Sequence, residues 1–228
     1  RVGLITFSNT AKVEIKLGDA DSSAQVDAAI KALATRSPDG GTRTSRALEL
    51  AKTFMTESEG ARAESVGIPK VIVVLTDGKS SRGYKPKKIS KTLRAAGINM
   101  FAVGIKNYKK SELKDIGSSP WRDFVKMVKD FDELKTAVKG VAERVCDTVI
   151  EQSSVRLGLG FSSSSVGVPL MFVRERCDHA VDLMFVLDDS GSIGIDNWGS
   201  MISFVEQVAR SFTISQNSGD ARVGLVTF

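Results

Sequence analysis

Apolar residues fall along this chain in two rhythms. Four runs are nearly unbroken: RVGLITF at Arg1 to Phe7, PKVIVVLT ending at Thr76, INMFAVGI ending at Ile105, and VDLMFVL from Val181 to Leu187. Apolar residues on both faces of so short a run predict strands of a parallel sheet covered by helices on either side. Ala11 to Leu17, AKVEIKL, alternates instead, which predicts an amphipathic edge strand in a short hairpin with the first run. DFVKMV, ending at Val128, is read as a further strand. Helical spacing fills the intervals. Ser22 or Ser23 can cap a helix to about Thr35 with Val26, Ala29, Ile30 and Leu33 on one face. Further helices are expected over Ser45 to Thr56, Lys87 to Ala96 closed by Gly97, Lys110 to Ile116, Phe131 to Val145 starting near Asp130, and Asn197 to Phe212 with Ile202, Val205 and Val208 inward.

Strands that alternate with helices imply right-handed crossovers. The expected fold class is α/β: a doubly wound, mostly parallel sheet with one antiparallel edge strand and helices on both faces. The first copy lacks a central strand and the helix after it. A repeat explains why, because Arg222 to Phe228 reads RVGLVTF and matches Arg1 to Phe7 at six of seven positions, a period of 221 residues. A period of that length indicates tandem whole domains. The chain therefore reads as a fragment: residues 1–147 a domain without its first strand and helix, 148–176 a linker, and 177–228 the opening strand, helix and second strand of the next domain. Within the chain alone, Val181 to Leu187 can fill the vacant central slot and give a circularly permuted fold, leaving Arg222 to Phe228 without a slot. Ser153, Ser154, Ser162 to Ser165, Gly158, Gly160 and Gly167 make the linker read as flexible, while Val166 to Val173 is apolar enough to pack or to pair as a strand.

With 42% hydrophobic and 26% charged residues, neither disorder nor a membrane span is expected, and the longest apolar runs fall far short of the ~20 residues that a spanning helix needs. The net charge of +5 is unevenly placed: nine basic residues lie between Lys85 and Lys114 against Glu112 alone. Lys85, Lys87, Lys88, Lys91, Arg94, Lys109 and Lys110 are either a solvated helix face or a docking patch for sulfated glycosaminoglycan or another acidic matrix partner. Aromatics are sparse among them, with Phe101 and Tyr108 the ones in this stretch, which argues against nucleic acid.

Chemistry gathers where the central strands end. Val181 to Leu187 is followed by Asp188, Ser190 and Ser192, one carboxylate and two hydroxyls at alternate positions, and PKVIVVLT is followed by Asp77. Such oxygens suit a hard cation and are too few on one loop to complete six-fold coordination. Asp-x-Ser-x-Ser alone is read equally well as a solvated turn with a capping serine. A phosphatase of the haloacid-dehalogenase type also carries an aspartate here, but its pattern is Asp-x-Asp, and Ser190 replaces the second carboxylate that would move the proton.

Three segments together, VDLMFVLDDSGSIG, GGTRTSRAL and VIVVLTDGKS, resemble von Willebrand factor type A domains of the tandem kind found in matrilins, collagen VI and related matrix proteins. The resemblance covers nearly the whole chain outside the linker. It implies a metal-ion-dependent adhesion site made of Asp188, Ser190, Ser192, Thr42 and Asp77. It further implies Mg²⁺, with Ca²⁺ or Mn²⁺ as alternatives, touched directly by the three hydroxyls and reached by the two carboxylates largely through water. A partner's Asp or Glu would complete the shell, with no catalytic residue needed and no enzyme expected. Asp189 is expected to point away. In an intact tandem protein these five residues would belong to two sites, and their meeting here depends on the permuted arrangement. The family also implies a secreted, extracellular-matrix protein that binds collagen or similar partners; a scaffold whose metal is unused or only stabilising is the alternative. Cys146 and Cys177 lie where many such domains close their ends with a disulfide. They are expected either to pair with cysteines of their own repeats, to pair with each other in the permuted fold, or to remain buried thiols. His179 is read as a turn residue.

Overall fold

A computed structural model describes residues 1–156, 177–214, 222–224 and 226–227. Its centre is β6 (Asp182–Asp188), in which every residue is buried. This strand lies parallel between β1 (Val2–Phe7) and β3 (Lys70–Thr76), with Leu183 opposite both Val2 and Val71, and Leu187 opposite both Thr6 and Leu75. The sheet extends outward from β3 through β4 (Asn99–Ile105) to β5 (Val125–Val128), all parallel. On the other side β2 (Ala11–Ile15) pairs antiparallel with β1 and forms the edge. The central slot is thus filled by a strand from the far end of the chain, as the permuted arrangement requires.

The apolar runs dictate this placement. Residues on both faces of β1, β3 and β6 are buried, so each strand needs a layer on either side. One layer contains α1 (Ser23–Ala32), α6 (Phe131–Arg156) and α7 (Ile195–Arg210); the other contains α2 (Thr44–Phe54), α3 (Lys87–Ala95) and α4 (Lys110–Ile116). Ser22 caps α1 by accepting from the Gln25 amide. Val26 and Ile30 of α1, and Ile202, Val205 and Val208 of α7, are buried as their spacing predicts. Trp198 of α7 is fully buried and its indole N–H donates to the Leu33 carbonyl at 2.7 Å, which joins helices from opposite ends of the chain. Among the described residues no helix is long and apolar enough to cross a membrane.

Three expectations change, and the open question of the cysteines closes. DFVKMV is a strand only from Val125, because Trp121–Phe124 forms a helical turn, α5. Helix α6 continues past Val145 to Arg156, so Ser153 and Ser154 are helical and the first part of the expected linker is regular structure. Ser153 satisfies its hydroxyl within the helix by donating to the Val149 carbonyl. The glycines, Ser162 to Ser165 and Val166 to Val173 lie outside the described residues. Cys146 and Cys177 are bonded to each other, closing a sequence separation of 31 and tying α6 to the entrance of β6, an arrangement typically worth about 2–4 kcal/mol.

Lastly, the duplicate segment does find a slot. β7 (Arg222–Gly224) and β8 (Val226–Thr227) run parallel to β6, placing Val223 opposite Leu183, Gly224 opposite Met184 and Thr227 opposite Leu187. β1 meets the same three positions with Val2, Gly3 and Thr6. β8 also pairs parallel with β1, Leu4 opposite Val226 and Ile5 opposite Thr227, so both copies of the segment join the sheet beside β6.

Candidate metal centre

The carboxyl ends of β3 and β6 are adjacent, and the loops beyond them meet the loop that precedes α2. This convergence brings all five predicted residues together. The Thr42 hydroxyl donates to Ser190 Oγ at 3.2 Å, Ser190 and Ser192 share a hydrogen bond of 3.1 Å, and Ser192 donates to Asp77 Oδ1 at 2.7 Å. Asp188 lies beneath this chain of oxygens. Its Oδ1 accepts from the Ser190 amide at 3.0 Å and its Oδ2 from the Thr76 hydroxyl at 2.6 Å.

Backbone contacts lock the three loops. Gly191 N–H donates to the Gly40 carbonyl at 3.0 Å, and Asp39 N–H to the Asp189 carbonyl at 2.9 Å. Gly40 sits at φ +83°, a left-handed conformation that favours glycine. Thr42 is held twice by one residue: its amide donates to Ser81 Oγ at 3.0 Å and its carbonyl accepts from the Ser81 amide at 2.7 Å. Glu112 of α4, buried, accepts from the Ser80 amide at 2.8 Å, while Ser80 Oγ donates to Thr44 Oγ1 at 2.9 Å.

The electrostatics are those of a site short of positive charge. Asp188 is fully buried, and burial lifts its carboxyl to about 7 against the pull of the Ser190 and Thr76 hydrogen bonds. Asp77 is also raised by burial, opposed chiefly by Ser192, and its Oδ2 is buried with no hydrogen-bond partner. Among the described residues neither carboxylate has a salt bridge. Asp189 lies apart from the set, as expected. The groups around it are Arg36, Thr6 and Glu14, and burial pushes it up to about 6. Among the described residues no three of His, Cys, Asp and Glu cluster to hold a metal, so the donor set is two carboxylates and three hydroxyls. Those are hard oxygens, suited to Mg²⁺, Ca²⁺ or Mn²⁺.

The model of the von Willebrand factor type A domain matches residues 1–140 and 182–228, the two pieces that form this sheet. The chain belongs to that family. Mouse matrilin-1 is 30% identical over 247 residues, covering all of this chain and 48% of the relative. Mouse collagen alpha-4(VI) chain is 29% identical over 231 residues, covering all of this chain and 9% of the relative. The chain thus spans about half the length of matrilin-1. Among solved structures, proximal thread matrix protein 1 from the mussel byssus aligns with a TM-score of 0.53 at 24% identity, over 86% of this chain and 43% of that one. A second structure of that protein, described as having a zinc-occupied MIDAS motif, aligns with a TM-score of 0.54 at 23% identity, over 87% and 43%. These structures share the type A fold.

Sequence reading missed the residues that hold the type A site in shape. Thr76 reads in the sequence only as the last residue of an apolar strand and Glu112 as a lone acid in a basic stretch, while Ser81 carries no signal of its own. His179 sits exposed in a bend, as read. Of the basic patch, Lys85, Lys87, Lys88, Lys91, Lys109 and Lys110 are exposed, whereas Arg94 is half-buried and donates to the Asp115 and Ile116 carbonyls at 2.7 Å each.

Proposed function

We propose that this chain is an extracellular adhesion module that binds protein ligands through a divalent cation held by Asp188, Ser190, Ser192, Thr42 and Asp77. The observation that carries the reading is a fully buried carboxylate, Asp188, with two hydrogen-bond donors and no cation, beneath three hydroxyls and an unpartnered Asp77 oxygen. A buried charge without a counter-charge is costly, and a hard cation is the group these oxygens would accept. Mg²⁺ fits, as would Ca²⁺ or Mn²⁺. When bound, the ion supplies an electrophilic position that a carboxylate of a partner can enter. The side chains of this chain hold the oxygens in place, Thr42 through Ser81 and Asp188 through Thr76.

The likeness to matrilin-1 and to collagen VI chains supports a secreted matrix protein, and the Cys146–Cys177 disulfide belongs to an oxidising compartment. The carbonyl-end donor set includes no carboxylate at position 190 to act as acid and base, which supports adhesion over phosphoryl transfer. The rival role is a scaffold in which the ion only stabilises the domain. Binding to immobilised matrix proteins, collagen among them, separates the two. Adhesion expects binding that is abolished by chelator and by Asp188→Ala, whereas binding indifferent to both supports the scaffold.

A further inference from the structure

A second charged surface lies away from the five oxygens, where α3 meets α4. Lys87, Lys91 and Arg94 occupy one stripe of α3, four and three residues apart. Both ends of the stripe reach the last turn of α4: Lys87 Nζ is 3.8 Å from Asp115 Oδ1, and Arg94 donates to the Asp115 and Ile116 carbonyls. Lys91, exposed, lies between them on the same stripe. On α4 itself, Lys114 precedes Asp115, and its ammonium lies 3.9 Å from the centre of the Trp121 ring. Arg122 and Lys110 lie 5.6 and 5.7 Å from that ring.

The acids nearby are committed elsewhere. Glu112 is buried and accepts from Ser80, with Lys109 at 3.5 Å; Asp123 pairs with Arg144 at 3.5 Å. Asp115 is the carboxylate at the junction, set against Lys87, Lys91, Lys110, Lys114 and Arg122. Like charges one helical turn apart, such as Lys87 with Lys91 and Lys110 with Lys114, each cost a few tenths of a kcal/mol. Asp115, beside Lys87, and the Trp121 ring, beside Lys110 and Lys114, offset part of that cost. The exposed cations are strung across three elements, lysines on α3 and α4 and Arg122 on α5, an arrangement that fits a repeating linear polyanion better than a single phosphate or carboxylate.

We propose that the α3–α4 junction, extended to the cations around Trp121, binds a sulfated polysaccharide. The surface uses none of the five oxygen-bearing residues, so its test is run in chelator and does not depend on the metal reading. The probe is a heparin oligosaccharide of defined length, titrated across a salt series. Lys91→Ala/Lys110→Ala/Lys114→Ala is expected to weaken binding at least tenfold and to lower the slope of log Kd against log salt by about one for each lysine removed, as for other polyanions. The double variant Lys52→Ala/Lys139→Ala, which removes exposed lysines on other helices, is expected to change binding less than twofold. An unchanged melting temperature confirms that each variant is folded. Equal losses in the two variants would overturn the proposal, as would wild-type protein that binds desulfated heparin or anionic phospholipid vesicles as tightly as heparin.

Discussion

The two ends of β6 carry the same group in the same burial and treat it in opposite ways. Asp182 and Asp188 both have 0% relative exposure. At the amino end, Asp182 accepts from the Arg62 backbone amide at 2.6 Å and from Arg62 Nε at 2.9 Å. At the carboxyl end, Asp188 has a hydroxyl and an amide and no cation. A buried carboxylate with a guanidinium is finished as it stands, while one without a cation has room for a charge from outside. The comparison teaches that burial alone does not mark a candidate cation-binding acid; burial without a counter-charge at the strand's carboxyl end does.

The comparison breaks most visibly at the Asp182 end. Arg62→Ala removes the guanidinium and leaves the carboxylate buried, and an uncompensated buried charge of this kind costs about 3–5 kcal/mol. Urea unfolding at neutral pH is expected to show a loss in that range, with and without Mg²⁺. A loss below about 1 kcal/mol would mean that Asp182 is solvated or neutral, and the contrast with Asp188 would fail.

At the other end the effect depends on the ion. In wild-type protein, Mg²⁺ at one hundred times its Kd is expected to raise unfolding stability by about 2.7 kcal/mol. Asp188→Asn keeps the shape and removes the charge, so it should abolish that increment while leaving the metal-free protein at neutral pH as stable as wild type or more so. Thermal melts across a Mg²⁺ titration measure both. A full Mg²⁺ shift in the variant would place the ion elsewhere.

How far the sequence foretold these two ends differs for a physical reason. β6 with Asp188 at its end, and the four candidate residues that gather around it, were legible, because a continuous apolar run fixes a central strand and its carboxyl end is where loops collect polar residues. The central place of β6 followed from β–α alternation and from the vacancy the repeat exposed, and the edge place of β2 from its alternating pattern. Asp182 was not legible as anything but part of the run VDLMFVLD, since its partner Arg62 stands 120 residues away in an irregular stretch. Thr76, Ser81 and Glu112 were hidden similarly, as each acts across a tertiary contact that leaves no local period. The extension of α6 to Arg156 was missed because Ser153 and Ser154 suggest a linker, and helix packing against α7 outweighs that weak propensity.

The smallest effect is the dependence of the metal increment on pH, and it sharpens the comparison most. Burial, set against the Ser190 and Thr76 hydrogen bonds and reinforced by the charge of Asp77, lifts Asp188 from its ordinary 3.8 to about 7. In the metal-free protein the folded state therefore keeps a proton that the unfolded chain has released. The stability this proton supplies is complete below about 4 and is lost as pH rises through about 7. A cation needs the ionised carboxylate and must displace that proton, so its apparent affinity should rise as pH approaches 7 and level off above it, by up to about 1.4 kcal/mol per pH unit. Mg²⁺-induced shifts in melting temperature, measured at saturating and sub-saturating metal from pH 5 to pH 8, should grow and then plateau. A sub-saturating shift that is flat across this range would mean that Asp188 is already ionised without metal, and the proposed lack of a counter-charge at this end of β6 would be wrong.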